Sequence, residues 1–482
     1  MQKKFLTNLA LLLFLNLLVK PVWVLGIDRG VQNIVGEESY GFYFAILNFS
    51  FLFNMLLDLG ITNFNNRNIA QNQHLLNKHF SGILAMKLLL GGLYLVFTFS
   101  IAFFINYGPE QFYLLAWVCF NQFLLSFITY LRSNISGLLL FRTDSFVSVL
   151  DRLLMIIICG YLIWGRGDGA SPFNIKWFVY AQTVAYTITA IIAFLVVVKK
   201  SKFRKLNWNW PFFVMIIKRS FPFAILVFLM VTYFRSDAIL LERLLKNDLG
   251  EQQAGVYAKA FRLLDAVNMV PFLFAALLFP LYSRMIKAGH SVVQLVKLSF
   301  SLVITLSVIT AFGSYFYGYE IMDLLYYDNI PEATAIFTKI MFSFIAISSI
   351  YIFGALLTAN GNLRELNIIS LSALIINITL NFLLIPKIQA VGSAYANLIT
   401  QFAAAIPQVI LALLVFKFRI NYRFIVSLVL FIIGVAAFNY YSRLLPLLWY
   451  VNFMIMVLAS LILASVLRLL NINSLIAILK DR

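Results

Sequence analysis

Two ionisable residues, Arg235 and Asp237, stand inside an apolar run long enough to cross a bilayer. A charge at membrane depth is costly, so it faces a partner or a water-filled space and marks an ion or solute path. Residues two apart on a helix point to nearly opposite sides, and each of these needs a partner on another helix. The next apolar stretch offers Lys259, Arg262 and Asp265, spaced by three along one helical face. Counted from the turn between the two stretches, Asp237 matches Lys259 in depth, and Arg235 falls between Arg262 and Asp265. Two readings stand side by side. The charges form a closed ion-pair network that pins two helices, or surplus cations hold an anionic headgroup while Asp237 or Asp265 changes protonation.

A second pair, Asp58 and Lys87, matches in depth near the opposite membrane face and reads as a gating or structural ion pair. Little else suggests chemistry. His74 and His79 are five apart, which is not a helical metal pair. Cys119 and Cys159 fall in different apolar stretches and read as packing residues. No phosphate-binding glycine loop, catalytic carboxylate pair or nucleophile motif is present. The expectation is a protein with no catalytic residues, no metal and no cofactor.

The elements that must position these residues follow from composition. The chain is 62% hydrophobic and 12% charged over 482 residues, which no soluble protein of this length can bury. Runs of roughly 20 apolar residues predict about 14 spans, giving an all-α polytopic membrane protein. The first, from Phe5 to Val19, follows Lys3-Lys4 and reads as a retained span ending at Lys20-Pro21. If the N-terminus is cytoplasmic, roughly two thirds of the 37 Lys and Arg face inward. This predicts cytoplasmic termini and makes the +18 charge a report of topology, not of a nucleic-acid partner.

Internal similarity divides the chain. Gly41-Phe-Tyr43 matches Gly255-Val-Tyr257, Gly137-Leu-Leu-Leu140 matches Gly354-Ala-Leu-Leu357, and Tyr180-Ala-Gln182 matches Tyr395-Ala-Asn397. The offsets are 214, 217 and 215. An even number of spans per copy gives two parallel six-helix lobes, with a substrate cavity between them. The predicted boundaries are 1–200 for the first lobe, 201–218 for a basic, Trp-bearing interfacial linker, and 219–418 for the second lobe. Two extra spans and a tail occupy 419–482. Subtracting the offset from Arg235 lands on Lys20. A cation at the equivalent place in each lobe would suit a bridging phosphate, although Lys20 at a span end would also snorkel to the interface.

Several segments resemble one family along the whole chain. They are Tyr40 to Asn48, Leu57-Asp-Leu-Gly60, Asn65-Asn-Arg-Asn68, Arg235 to Leu241, Ala254 to Tyr257 and Ala260 to Leu264. Thr358 to Gly361, Asn377 to Asn381, Leu384-Ile-Pro386 and Gly392-Ser-Ala394 complete the pattern. Together they resemble oligosaccharide flippases of the polysaccharide-biosynthesis (Wzx-type) family, in the multidrug/oligosaccharidyl-lipid/polysaccharide exporter superfamily. The resemblance implies alternating access and a polyprenyl-diphosphate-linked oligosaccharide moved to the periplasmic leaflet of a bacterial inner membrane. Such a substrate would meet Lys20, Arg235, Lys259 and Arg262, with a proton or sodium ion coupled through Asp237 or Asp265. Membrane lipids and other polysaccharide-assembly membrane proteins are the further partners implied. A cation-coupled drug exporter and a lipid II flippase are the related alternatives. A membrane glycan polymerase or glycosyltransferase, from a different class, would more often carry a large extramembrane catalytic loop.

Overall fold

The computed structural model describes residues 14–16, 18–62, 65, 69, 75–138, 140–165, 173–201, 208–245, 248–418 and 421–470. The linker stretch 202–207, most of the loop 63–74 with His74, and residues 1–13 lie outside the described residues. Apart from short 3-10 and π-helical pieces, the secondary structure among the described residues is α-helical.

The helices are α1 (Arg29–Leu52), α2 (Leu75–Phe104), α3 (Pro109–Gly137), α4 (Phe141–Trp164), α5 (Ile175–Lys200), α6 (Trp210–Leu244) and α7 (Asp248–Lys287). They are followed by α8 (Val293–Phe316), α9 (Gly318–Leu325), α10 (Ile330–Asn360), α11 (Leu363–Val415), α12 (Tyr422–Arg443) and α13 (Trp449–Val466). Ten helices among the described residues are long and apolar enough to span a membrane. One of them, α11, is broken at Ile388 and Gln389 and holds two spans. The helix before Gly36, the rest of α1 and the charge-bearing α7 stand where the sequence reading puts the other three of its 14 spans.

The first helix runs further toward the C-terminus than the sequence implied. Helix does not end at Lys20-Pro21 but continues through residues 18–22, a π-helical segment Trp23–Asp28 and the start of α1. It breaks only at Gly36, whose φ of 79° suits glycine. Pro21 lacks an N–H for the helical ladder, and the wider π turn follows directly; such segments often accompany functional sites. Lys20 therefore stands about 24 Å from the turn at Gly36, well inside the span.

Contacts divide the chain into two compact units, Met1–Gly255 and Val256–Arg482, so α6 and the first two turns of α7 group with the first unit. In unit 1, Phe80, Ile83, Met86, Tyr130, Leu131 and Ala193 pack α2, α3 and α5 into one apolar core. In unit 2, Ile304 and Val308 of α8 pack against Phe431, Val435 and Met456, which seats both C-terminal helices. Helix boundaries repeat as the sequence similarity does. Ile175–Lys200 corresponds to the second half of α11, residues 390–415, at an offset of 215 at both ends.

One close approach in unit 1 joins repeat-equivalent positions. A Cβ on Gly41 would lie 1.8 Å from the Glu251 carbonyl oxygen, and a Cβ on Gly255 would lie 2.0 Å from that of Glu37. Glu37 and Glu251 are 214 apart, as are Gly41 and Gly255. The contact is reciprocal, and only glycine fits at either side of it.

Candidate substrate site

The N-terminal span presents Asn16, Lys20 and Trp23 on one helical face. Asn16 donates to the Ser148 hydroxyl at 3.1 Å. Lys20, partly buried, lies within electrostatic reach of Arg152, Asp151 and Arg132. Trp23 stacks on Phe178 of α5, ring centroids 5.9 Å apart and planes within 2°. The Arg152 guanidinium lies 5.5 Å from the Trp23 ring and 5.7 Å from the Tyr186 ring. It donates from Nη1 to the Tyr186 hydroxyl at 2.9 Å, and Asp151 flanks its Nε at 3.8 Å. Arg132 makes two bonds to Asp144, at 2.8 and 3.4 Å.

Three cations and two carboxylates thus meet on the faces of the first span, α3 and α4, with aromatic rings beside them. Arg152 stands about 16 Å along α4, within a helix long and apolar enough to span a membrane. Guanidinium and ammonium groups bind phosphate oxygens, and Trp and Tyr faces pack against sugar rings. An anionic, sugar-bearing headgroup matches this wall.

One turn beyond, the buried Asp28 ends the π segment. It accepts hydrogen bonds from the Tyr40 hydroxyl at 3.0 and 3.1 Å and from Gln32 at 3.3 Å. Nearby, Gln182 donates to the Tyr43 hydroxyl at 2.9 Å and Thr183 to Asn121 at 2.8 Å. A buried carboxylate within a membrane helix bundle is the kind of group that marks an ion or solute path.

The other predicted residues are distributed between the units. In unit 1, the Arg235 guanidinium packs over the Phe51 and Phe234 rings at 5.1 and 5.3 Å, and Asp237 is 1% exposed. In unit 2, Arg262 and Asp265 approach to 3.9 Å along one face of α7. Lys259 is buried; its ammonium donates to the Asp328 backbone carbonyl at 2.7 Å and lies 5.5 Å from the Tyr326 ring. The Tyr326 hydroxyl in turn donates to the Lys259 carbonyl at 3.2 Å. Much of this residue's bonding fastens α7 to the segment before α10.

Asp58 and Lys87 meet at 2.5 Å. Lys87 also donates to the Leu57 carbonyl at 2.9 Å and to the Ser126 hydroxyl at 3.0 Å. An ammonium has three protons to donate, and all three have acceptors within the protein. Thr62 caps the arrangement through its backbone N–H and its hydroxyl, both bound to Asp58. This geometry clasps the end of the 3-10 turn Asn54–Leu57 to α2 and α3 and leaves Lys87 no proton for a ligand.

A family model described as "Polysaccharide biosynthesis protein" matches residues 30–287, more than half of the chain. The chain belongs to that family. No curated protein sequence matches it significantly. Among solved structures, the fold is similar to the lipid II flippase MurJ in an inward closed conformation. The TM-score is 0.65 at 14% identity, covering 94% of this chain and 98% of that one. It is also similar to a eukaryotic MATE transporter (TM-score 0.62, 16% identity, 86% and 96% covered). An inward-facing MATE multidrug-resistance transporter of the MOP superfamily matches with a TM-score of 0.58 at 11% identity, covering 82% and 94%. At these identities the likeness is one of fold: a multi-pass membrane transporter fold.

In this polysaccharide-biosynthesis protein, sequence reasoning overlooked Arg132, Asp144, Asp151, Arg152 and Asp28. Arg132, Arg142 and Arg152 read as a positive loop, because the uninterrupted apolar run of α4 begins only at Leu153. The usable signal was the Asp151-Arg152 pair, which, like Arg235 and Asp237, sets both signs of charge close together against apolar sequence.

Proposed function

We propose that the protein is a flippase carrying a polyprenyl-diphosphate-linked oligosaccharide across a bacterial inner membrane, from the cytoplasmic to the periplasmic leaflet, by alternating access. The carrying observation is the wall formed by Lys20, Arg132 and Arg152 with Trp23 and Tyr186, set at membrane depth in a member of the polysaccharide-biosynthesis family. A diphosphate cannot cross hydrocarbon unaided, and fixed cations lower that cost while the polyprenyl tail stays in lipid. In this reading Arg235 in unit 1, and Lys259 and Arg262 in unit 2, are further cations for the headgroup. Asp28 joins Asp237 and Asp265 as a site where a proton or sodium ion drives the cycle. Both termini are cytoplasmic in this reading, and other polysaccharide-assembly membrane proteins receive the product.

The deciding experiment reconstitutes the purified protein in liposomes and follows a fluorescent lipid-linked oligosaccharide from one leaflet to the other. Lipid II and a drug cation are run as competing substrates. Faster flipping of the glycan lipid than of either competitor supports the reading. Uptake of the drug cation without glycan flipping would replace it with an exporter, and a preference for lipid II would narrow it to that substrate. Asp28→Asn and Asp237→Asn report on coupling: the role of each depends on loss of the pH or sodium dependence of flipping.

A further inference from the structure

Lys339 is a membrane-depth charge outside the set described above. It stands about 14 Å along α10 from Ile330, in a helix otherwise apolar enough to span a bilayer. Its ammonium lies 5.3 Å from the ring of Tyr395 on the second half of α11. No carboxylate among the described residues pairs with it. Lys339 is partly exposed and Tyr395 is 40% exposed, so the pair lies on the surface of unit 2.

Unit 1 provides the comparison. Tyr180 is the repeat equivalent of Tyr395. Its hydroxyl meets that of Tyr113 at 2.5 Å, and the Trp117 ring packs on it at 5.1 Å. Lys176 lies over Tyr113 at 5.8 Å, and there the lysine is neutralised by Glu110 at 3.0 Å. In unit 2 the position equivalent to Lys176 is Val391, and the lysine beside the tyrosine comes instead from α10, where no described carboxylate pairs with it. Away from Lys339, α11 exposes Ile399, Ile406, Ile410 and Leu414 at helical spacing. A cation with a phenol beside it at one end and an apolar stripe leading away is the pattern an anionic amphiphile would match.

We propose that Lys339 and Tyr395 form a binding site for the headgroup of an anionic phospholipid on the surface of unit 2. The lipid is held in the leaflet at the Ile330 end of α10. The ammonium neutralises the phosphate, the Tyr395 hydroxyl donates to a phosphate oxygen, and an acyl chain follows the stripe of Ile399, Ile406 and Ile410.

The test is native mass spectrometry of the full-length protein with equal phosphatidylglycerol and phosphatidylcholine. Wild type should retain phosphatidylglycerol in preference. Lys339→Gln should lower its retention about fivefold, Lys339→Arg should keep most of it, and Tyr395→Phe should fall between. Thermal unfolding of each variant controls for folding, and the Arg and Phe variants keep the test decisive should the Gln variant misfold. Undiminished retention by Lys339→Gln would mean the lysine merely snorkels and would overturn the site. So would equal uptake of both lipids by wild type, or displacement of the retained lipid by millimolar inorganic phosphate.

Discussion

Arg152 donates to the Tyr186 hydroxyl at 2.9 Å with Trp23 on another side of the guanidinium. The bond fixes a mobile cation against two rings, so less freedom is lost when a phosphate or carboxylate arrives.

Removing that cation should weaken headgroup capture. A hydrogen bond to a charged group contributes about 1.5–3 kcal/mol, so Arg152→Gln should cut affinity for the lipid-linked oligosaccharide roughly ten- to a hundredfold. Tyr186→Phe removes one positioning bond and should cost about fivefold. Equilibrium binding in nanodiscs measures both. Equal affinities across the series would remove Arg152 from the site.

The Lys87 clasp should behave as structure, not as transport machinery. Lys87→Met alone strands the Asp58 carboxylate and should destabilise the protein by about 3 kcal/mol. Adding Asp58→Asn should restore much of that, with flipping per folded molecule close to wild type. Thermal unfolding in detergent, followed by a transport assay on the surviving protein, separates the two roles.

Gly41→Val should be among the most damaging single substitutions in unit 1. Its Cβ would enter the van der Waals shell of the Glu251 carbonyl oxygen, forcing two backbones apart at a cost of about 1–3 kcal/mol or more. Gly41→Ala already introduces the clash. Both should lower the melting temperature, while Val substituted at Gly92, where a Cβ meets open space, should not.

Glu251, just before the apolar stretch of α7, gives a pH signature. Burial, and then the nearby carboxylates of Glu38, Asp248 and Glu110, push its pKa above the ordinary carboxylate range; Glu242 lies close as well. The folded state therefore holds this proton more tightly than the unfolded chain. The associated stability is fully present below the ordinary carboxylate pKa and is lost as pH rises through the raised one. Glu251→Gln should raise the melting temperature at pH 7–8 and leave it unchanged near pH 4. A gain of the same size at both values would refute the linkage.

The fold was legible because the bilayer enforces it: long apolar runs can satisfy their backbone only as helices. Even the two spans inside α11 were readable, since Lys387 and Gln389 interrupt the apolar pattern where the helix breaks. The extent of the first helix was not. Lys20-Pro21 is a stop signal by the rules of soluble helices, yet here the chain passes through a π turn and continues to Gly36. The same mismatch hid the site. Arg132 and Arg152 resemble loop charges in one dimension, and only the packing of α3 and α4 against the first span reveals that they share a wall with Lys20. The Asp58–Lys87 contact was readable from depth alone because its two helices are neighbours in sequence.

The reciprocal approach of Gly41 to Glu251 and of Gly255 to Glu37 bears on ancestry. A surface that meets its own equivalent is what a symmetric pair of identical chains uses to associate. In one polypeptide it is the trace expected when a gene for a self-associating half was duplicated and joined end to end. On that history the two glycines are the oldest shared constraint in the molecule. Each copy became free to diverge in charge, as Lys176 and its equivalent Val391 illustrate, while neither could acquire a side chain where they touch.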